Sequence, residues 1–168
     1  ITSQQGKGRF LREIPISQLG EDKQEEMSKN LERYSLYEAY EVRQVLETKA
    51  MDLIVRNATD SDLDEIETAY QTMLLRFAET NTTTGEFELH QLYAKKTGSV
   101  FMEQTLNIVL STILEMMHTT SHNVMDMHQV EEEKADHRRI IDALHKRDSS
   151  AAQQAMYDHI QHTLDILQ

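Results

Sequence analysis

Glu86 and His90, in the stretch GEFELHQLYAKK, are four residues apart, so on a helix their side chains share one face. His137 and His159 lie in EEEKADHRRIIDALHKRDSSAAQQAMYDHIQHTLDIL, which reads as two helices joined by a tight turn at Arg147–Asp148–Ser149. Asp148 falls eleven residues after His137 and eleven before His159. If the two helices fold back antiparallel, both histidines stand at one height, about 16 Å from the turn at a rise of 1.5 Å per residue. The other histidines are not matched in this way: His145 would face Ala151, and His162 would face Lys134. One carboxylate and three imidazoles form a credible ligand set for a divalent transition metal, zinc first, with nickel or manganese as alternatives. That the helix carrying Glu86 and His90 packs at this height is an expectation about packing.

A lone histidine on a helix is usually a polar residue with an ordinary partner. Here both fall on apolar stripes. His137 continues into Ile140, Ile141 and Leu144, and His159 follows Ala152, Ala155 and Met156. Imidazoles placed there need hydrogen-bond partners or a metal. Arg43 raises a related question, because it follows Leu36, Ala39 and Tyr40 at helical spacing, beside the same kind of stripe. A buried guanidinium needs an anion. Glu47 one turn on, Glu86 from a neighbouring helix, and the carboxylate of a bound acid are the three partners open to it.

The elements that must position these residues follow from composition and periodicity. One proline and five glycines in 168 residues, with many Glu, Gln, Leu, Met and Ala, point to one all-helical domain with a real core. Residues 1–11 are not helical in pattern: Gly6-Lys7-Gly8 is turn-like, and Arg9-Phe10-Leu11 suits a short strand. Residues 12–32, which hold the only proline, Pro15, read as a linker with room for a short helix. Helical spacing runs from Tyr34 to Arg56. Thr59 caps a further helix to about Glu79, with Asp60 and Asp62 at its positive end. NTTTG at 81–85 is a loop, and the helix from Glu86 ends at Lys95-Lys96-Thr97-Gly98. Residues 100–118 form the most apolar helix, expected to be buried on most sides. Its polar residues Gln104, Asn107, Ser111 and Glu115 share one stripe, either a narrow solvated face or the polar wall of an internal pocket. Glu131–Glu133 reads as a solvated first turn.

A net charge of −12 argues against nucleic-acid binding by these residues themselves. The absence of cysteine leaves metal binding to imidazole and carboxylate. With no apolar run of membrane-spanning length and no signal peptide, a soluble cytoplasmic protein without membrane partners is expected. The chain opens on Ile1, which reads as a fragment or a processed product.

Four ordered motifs resemble one family. Leu36-Tyr37-Glu38-Ala39-Tyr40-Glu41-Val42-Arg43-Gln44-Val45-Leu46-Glu47 is similar to the opening helix of the FCD domain, the effector-binding domain of FadR-type GntR-family transcription regulators, with its E-x-R-x-x-L-E signature. Ala58-Thr59-Asp60-Ser61-Asp62-Leu63 resembles its next helix start. Glu86-Phe87-Glu88-Leu89-His90 corresponds to its D-x-x-F-H segment, and His137-Arg138-Arg139-Ile140-Ile141-Asp142-Ala143-Leu144 to its H-x-x-I-x-x-A-I segment. The histidine of its final helix falls on His159, and QQGKGRF is similar to the end of the wing in the winged-helix domain that precedes FCD domains. Two departures stand out. Glu86 replaces the usual Asp, and Gly98-Ser99-Val100 replaces the family's Asn near the start of the central helix.

The resemblance implies an antiparallel bundle of six or seven helices over 33–168, a wing remnant at 1–11 and a linker at 12–32. It also implies a metal on Glu86, His90, His137 and His159, and a small carboxylate effector, an organic or sugar acid, held by Arg43 with Asn107 and Ser111. It further implies a homodimer that reaches DNA only through an N-terminal domain outside this sequence. This is not an enzyme on that reading. Two other classes stay open on the residues alone: a metal-dependent enzyme on a helical bundle, and a structural bundle without metal. Against the enzyme, no nucleophile motif and no H-E-x-x-H pattern is present.

Overall fold

A computed structural model describes the backbone of residues 2–4, 8–10, 21–80, 85–119 and 127–167, and side-chain environments over 34–79, 85–117 and 130–167. Two short strands, β1 (Thr2–Gln4) and β2 (Gly8–Phe10), pair antiparallel with Ser3 opposite Arg9. Six helices follow among the described residues: α1 (Glu21–Asn57), α2 (Asp60–Thr80), α3 (Glu86–Lys96), α4 (Val100–Thr119), α5 (Met127–His145) and α6 (Ser149–Leu167). The fold is the expected all-α antiparallel bundle.

Most helix limits lie where the sequence signals put them. The N-terminus of α2 is closed reciprocally. Thr59 Oγ1 accepts from the Asp62 N–H at 3.2 Å, and Asp62 Oδ2 accepts from the Thr59 N–H at 2.8 Å, a capping box with Asp in place of Glu. α3 ends into Gly98, whose φ of 68° is the left-handed conformation of a helix C-terminal cap. A Cβ there would also crowd Asn57, whose Nδ2 donates to the Thr97 carbonyl at 2.7 Å.

The hairpin of α5 and α6 is built by an unusual residue for such a turn. Arg147, not glycine, takes the left-handed position at φ 56°, and the Asp148 N–H reaches back to the Ala143 carbonyl at 3.0 Å. Asp148 Oδ1 then accepts from the Ala151 N–H at 3.0 Å and caps α6. The Arg147 side chain helps to hold this conformation. It donates to the carbonyls of Ala58 (2.6 Å) and Val55 (3.3 Å) and to Asp60 (2.7 Å), tying the turn to the corner between α1 and α2.

Two local expectations differ from the structure. The helix expected from Tyr34 begins at Glu21, so the second half of the stretch read as a linker is continuous with α1. No glycine or proline interrupts Glu21–Asn57, and nothing local stops the helix. The first half of that stretch, with Pro15, lies outside the described residues, as do 81–84. α4 is not buried on most sides either. Leu106, Leu110 and Ile113 face the core, while Val100, Phe101 and Ile108 are exposed. α4 packs on α1 and α3 alone among its larger contacts, and apolar composition does not fix how many neighbours cover a helix.

The core is contributed by every helix. α1 packs against α6, α4 and α3, and α5 packs against α6 and α2. A leucine's worth depends on where this packing puts it. Leu106→Ala, at 0% exposure, should cost about 2–5 kcal/mol, whereas the same change at Leu75, 66% exposed, should stay within about 0.5 kcal/mol. Urea unfolding of the two variants checks this, and similar losses would show that the core is misassigned.

Candidate metal centre

Glu86, His90, His137 and His159 meet in the interior. Each offers one ligand atom, and these four atoms all lie within 4.8 Å of one another. All four residues are buried, the histidines almost completely. Glu86 and His90 come from adjacent turns of α3, with Glu86 Oε1 3.6 Å from His90 Nε2. The α5–α6 hairpin delivers His137 and His159 side by side, their ring centroids 4.5 Å apart. His159 Nε2 stands 3.2 Å from His90 Nε2 and 4.0 Å from Glu86 Oε1.

The far side of each imidazole meets an oxygen. His90 Nδ1 contacts Glu47 Oε2, and His137 Nδ1 is 3.5 Å from the Tyr93 hydroxyl. His159 Nδ1 lies 3.6 Å from Glu133 Oε2 and 3.7 Å from Asp136 Oδ2. Oxygens behind the rings favour the Nδ1–H tautomer and leave Nε2 lone pairs pointing inward, the usual arrangement around metal-binding histidine. His137 Nε2 and His159 Nδ1 have no hydrogen-bond partner, which is rare for buried polar atoms. Three imidazoles and a carboxylate, with the inward Nε2 of His137 left without a partner, fit a divalent transition metal.

Arg43 sits beside the cluster at 1% exposure, from α1. Its Nε donates to Glu47 Oε1 at 2.6 Å and its Nη2 to Glu86 Oε1 at 3.3 Å, so both internal partners considered for it are engaged together. The guanidinium also lies over the rings of Tyr40 (5.2 Å) and Phe87 (5.4 Å), within cation–π range.

The other expected ligand contacts do not come together with Arg43 in the same way. Ser111 is exposed, like Gln104 and Glu115, so this stripe of α4 is largely the solvated face and not a pocket wall at Ser111. Among the described residues α4 packs mainly on α1 and α3, and the Gln104, Ser111 and Glu115 positions face away from them. Asn107 is half-buried, and its Oδ1 is shielded without a partner.

Burial dominates the electrostatics. It pushes His90 and His137 well below the ordinary histidine value, with Arg43 and His159 adding to the effect. Burial acts the same way on His159, but Glu133, Asp136 and Glu86 together outweigh it and hold this imidazole above the ordinary value. Glu133 is pushed up to about 8, chiefly by burial. Glu47 is also raised by burial, against the pull of Arg43.

The FCD domain family model matches residues 38–162. The chain belongs to the FCD family. The HTH-type transcriptional regulator LutR of Bacillus subtilis (strain 168) is 24% identical over 172 residues, a match covering 99% of this chain and 77% of LutR. Among solved structures, Streptococcus agalactiae GntR superposes with a TM-score of 0.66 at 19% identity, over 90% of this chain and 64% of that one. E. coli McbR/YncC gives 0.64 at 16% identity, over 77% and 62%. This FCD domain therefore spans less than two thirds of each of those two chains, and they bear on its fold alone. The resemblance to the effector-binding domain of GntR-family regulators holds.

Sequence reasoning placed Glu86, His90, His137, His159 and Arg43 in one region but missed residues around them. Glu133 was read as part of a solvated first turn; it is 6% exposed and faces the histidines, because α5 starts at Met127 and Glu133 is already in its second turn. Its signal was available, since it precedes His137 by the same four residues that separate Glu86 from His90. Tyr93 and Asp136 carried no pattern that marked them. Among the described residues no helix is long and apolar enough to cross a membrane.

The depressed histidines make a pH dependence. In chelator-treated protein the unfolded chain takes up protons at His90 and His137 near pH 6.5, before the folded chain does. Stability from these two groups is therefore full above that pH and falls as pH drops, by at most about 1.4 kcal/mol per pH unit for each proton. His159, shifted the other way, opposes this. His137→Gln removes one depressed group, so urea unfolding should show a smaller loss between pH 7 and 5.5 than in wild type. An equal loss would contradict the assignment.

Proposed function

We propose that this FCD domain is the sensory part of a bacterial GntR-family transcription regulator. It holds one divalent transition metal on Glu86, His90, His137 and His159, zinc first, with nickel or manganese as alternatives. A small organic or sugar acid binds at or beside that metal and alters DNA binding by the full-length homodimer. The observation that carries this reading is the convergence of four buried ligand atoms within 4.8 Å of one another, in a chain without cysteine. Four protein ligands leave an octahedral ion with open positions for a carboxylate, whereas in a tetrahedral site they would close it.

DNA contact belongs to a winged-helix domain preceding this chain, with residues 1–11 as the end of its wing. The antiparallel pairing of Thr2–Gln4 with Gly8–Phe10 supports that assignment. The remaining residues divide into the connection at 12–32, partly helical, and the sensory domain at 33–168. The metal supplies Lewis acidity and a coordination site for an anion. The chain's own contribution is to orient the imidazoles through Glu47 and Tyr93 and to keep a cation, Arg43, next to the site. A guanidinium has five N–H donors, more than its contacts to Glu47 and Glu86 use. Asn107 Oδ1 is the candidate acceptor for an effector hydroxyl.

The protein should carry or take up roughly one divalent ion per chain. His90→Ala and His137→Ala should each weaken zinc binding by at least tenfold, while His145→Ala, on the partly exposed end of α5, should leave it unchanged. Elemental analysis and zinc titration decide this. No metal, together with a melting temperature indifferent to zinc and chelator, would end the proposal.

The effector contact is tested by calorimetry with a panel of small carboxylic and sugar acids at equal zinc loading. Arg43→Lys keeps the charge that Glu47 and Glu86 require but loses the planar fork. It should weaken acid binding about tenfold or more, equivalent to about 1.4 kcal/mol. Equal affinity in a folded variant would reject the role.

A further inference from the structure

Four carboxylates are buried around the histidine cluster: Glu47, Glu86, Glu133 and Asp136. Three have hydrogen-bonded partners. Glu47 and Glu86 share the Arg43 guanidinium, and Asp136 lies 2.8 Å from His162 Nδ1 and pairs with Arg139. Glu133 differs, because its Oε2 accepts no hydrogen bond among the described residues. That oxygen is 3.8 Å from His137 Nε2 and 3.6 Å from His159 Nδ1, two nitrogens that are themselves without hydrogen-bond partners. On the Nε2 side of His137, two orphaned buried atoms, that nitrogen and Glu133 Oε2, thus face each other where unpartnered polar groups are costly, while His159 Nδ1 lies on the far side of its own ring.

The spacing explains how Glu133 gets there. It precedes His137 by one helical turn on α5, as Glu86 precedes His90 on α3. The oxygen-to-Nε2 separations are also alike, 3.8 Å in the α5 pair and 3.6 Å in the α3 pair. Two helices therefore present the same Glu-x-x-x-His device to one cluster. A cation satisfies a carboxylate oxygen and a lone-pair nitrogen at once, which a hydrogen bond between them at this distance does not.

We propose that Glu133 is a fifth metal-binding residue, so that the chain offers two carboxylates and three imidazoles to a single divalent ion. This rests on the metal-binding reading above. Five protein ligands leave an octahedral ion one open position, so an incoming acid would be held through one oxygen and not chelated through two. The second carboxylate also moves the donor set toward harder ions such as manganese.

The competing role is an acceptor behind His159, receiving its Nδ1–H without touching the metal. Affinity alone does not separate the two, since losing such an outer partner costs about 10–100-fold as well. A crystal structure of the zinc-loaded chain does. A Glu133 oxygen within about 2.0–2.2 Å of zinc supports the proposal. A carboxylate off the metal and bonded to His159 Nδ1 overturns it. In parallel, Glu133→Gln should lower zinc affinity roughly a hundredfold, and Glu133→Asp, which keeps the charge if Gln does not fold, should fall between Gln and wild type. Unchanged affinity in either variant also overturns it. If wild type binds zinc and only the Glu133 results fail, the four-residue site stands. If wild type binds no metal at all, both readings fall together.

Discussion

Arg43 is a permanent positive charge at the centre of a bundle that offers it no water, and much of the site is arranged around that fact. A buried guanidinium is tolerable only with anions and donors matched to it. Glu47 supplies one, one turn along α1, and Glu86 supplies the other from α3. Each of these carboxylates then does a second job. Glu47 backs His90 from behind, and Glu86 enters the ligand cluster itself. The cation thus links α1 to the helix that carries Glu86 and His90. Electrostatic order and ligand order are one network.

That network gathers polar groups that need partners. Three imidazoles crowd together, two of them held neutral by burial, and a carboxylate oxygen beside them has no donor. Well-packed cores avoid such groups, because each shielded polar atom without a partner forfeits its hydration. Ile140, Ile141, Met156 and Ile160, on the same two helices as His137 and His159, are buried in the core. The cost is carried by the rest of the bundle, a pattern common where structure is kept for binding.

Helix existence was legible because it depends on local rules. Thr59, Gly98 and Asp148 mark ends that the structure keeps, and the counting of eleven residues on either side of Asp148 brings His137 and His159 together as the hairpin geometry requires. Packing depends on more than pattern. The apolar strength of α4 said nothing about how many neighbours would cover it, so the exposure of Phe101 and Ile108 was not legible in it. Glu133 was hidden by its own neighbours. A run of three glutamates looks like a solvated turn, yet Glu131 and Glu132 are exposed and Glu133 turns inward. Only its spacing from His137 distinguished it.

The Arg147 turn has a consequence for how this chain can change in length. A residue added between Ser149 and His159 would rotate that histidine by about 100° and raise it by about 1.5 Å. The turn has little room to absorb the slip, because Arg147 is anchored to Val55, Ala58 and Asp60 on other helices. The segment from His137 to His159 is therefore a fixed ruler, intolerant of any insertion or deletion. Relatives of this chain should keep one spacing between the two histidines.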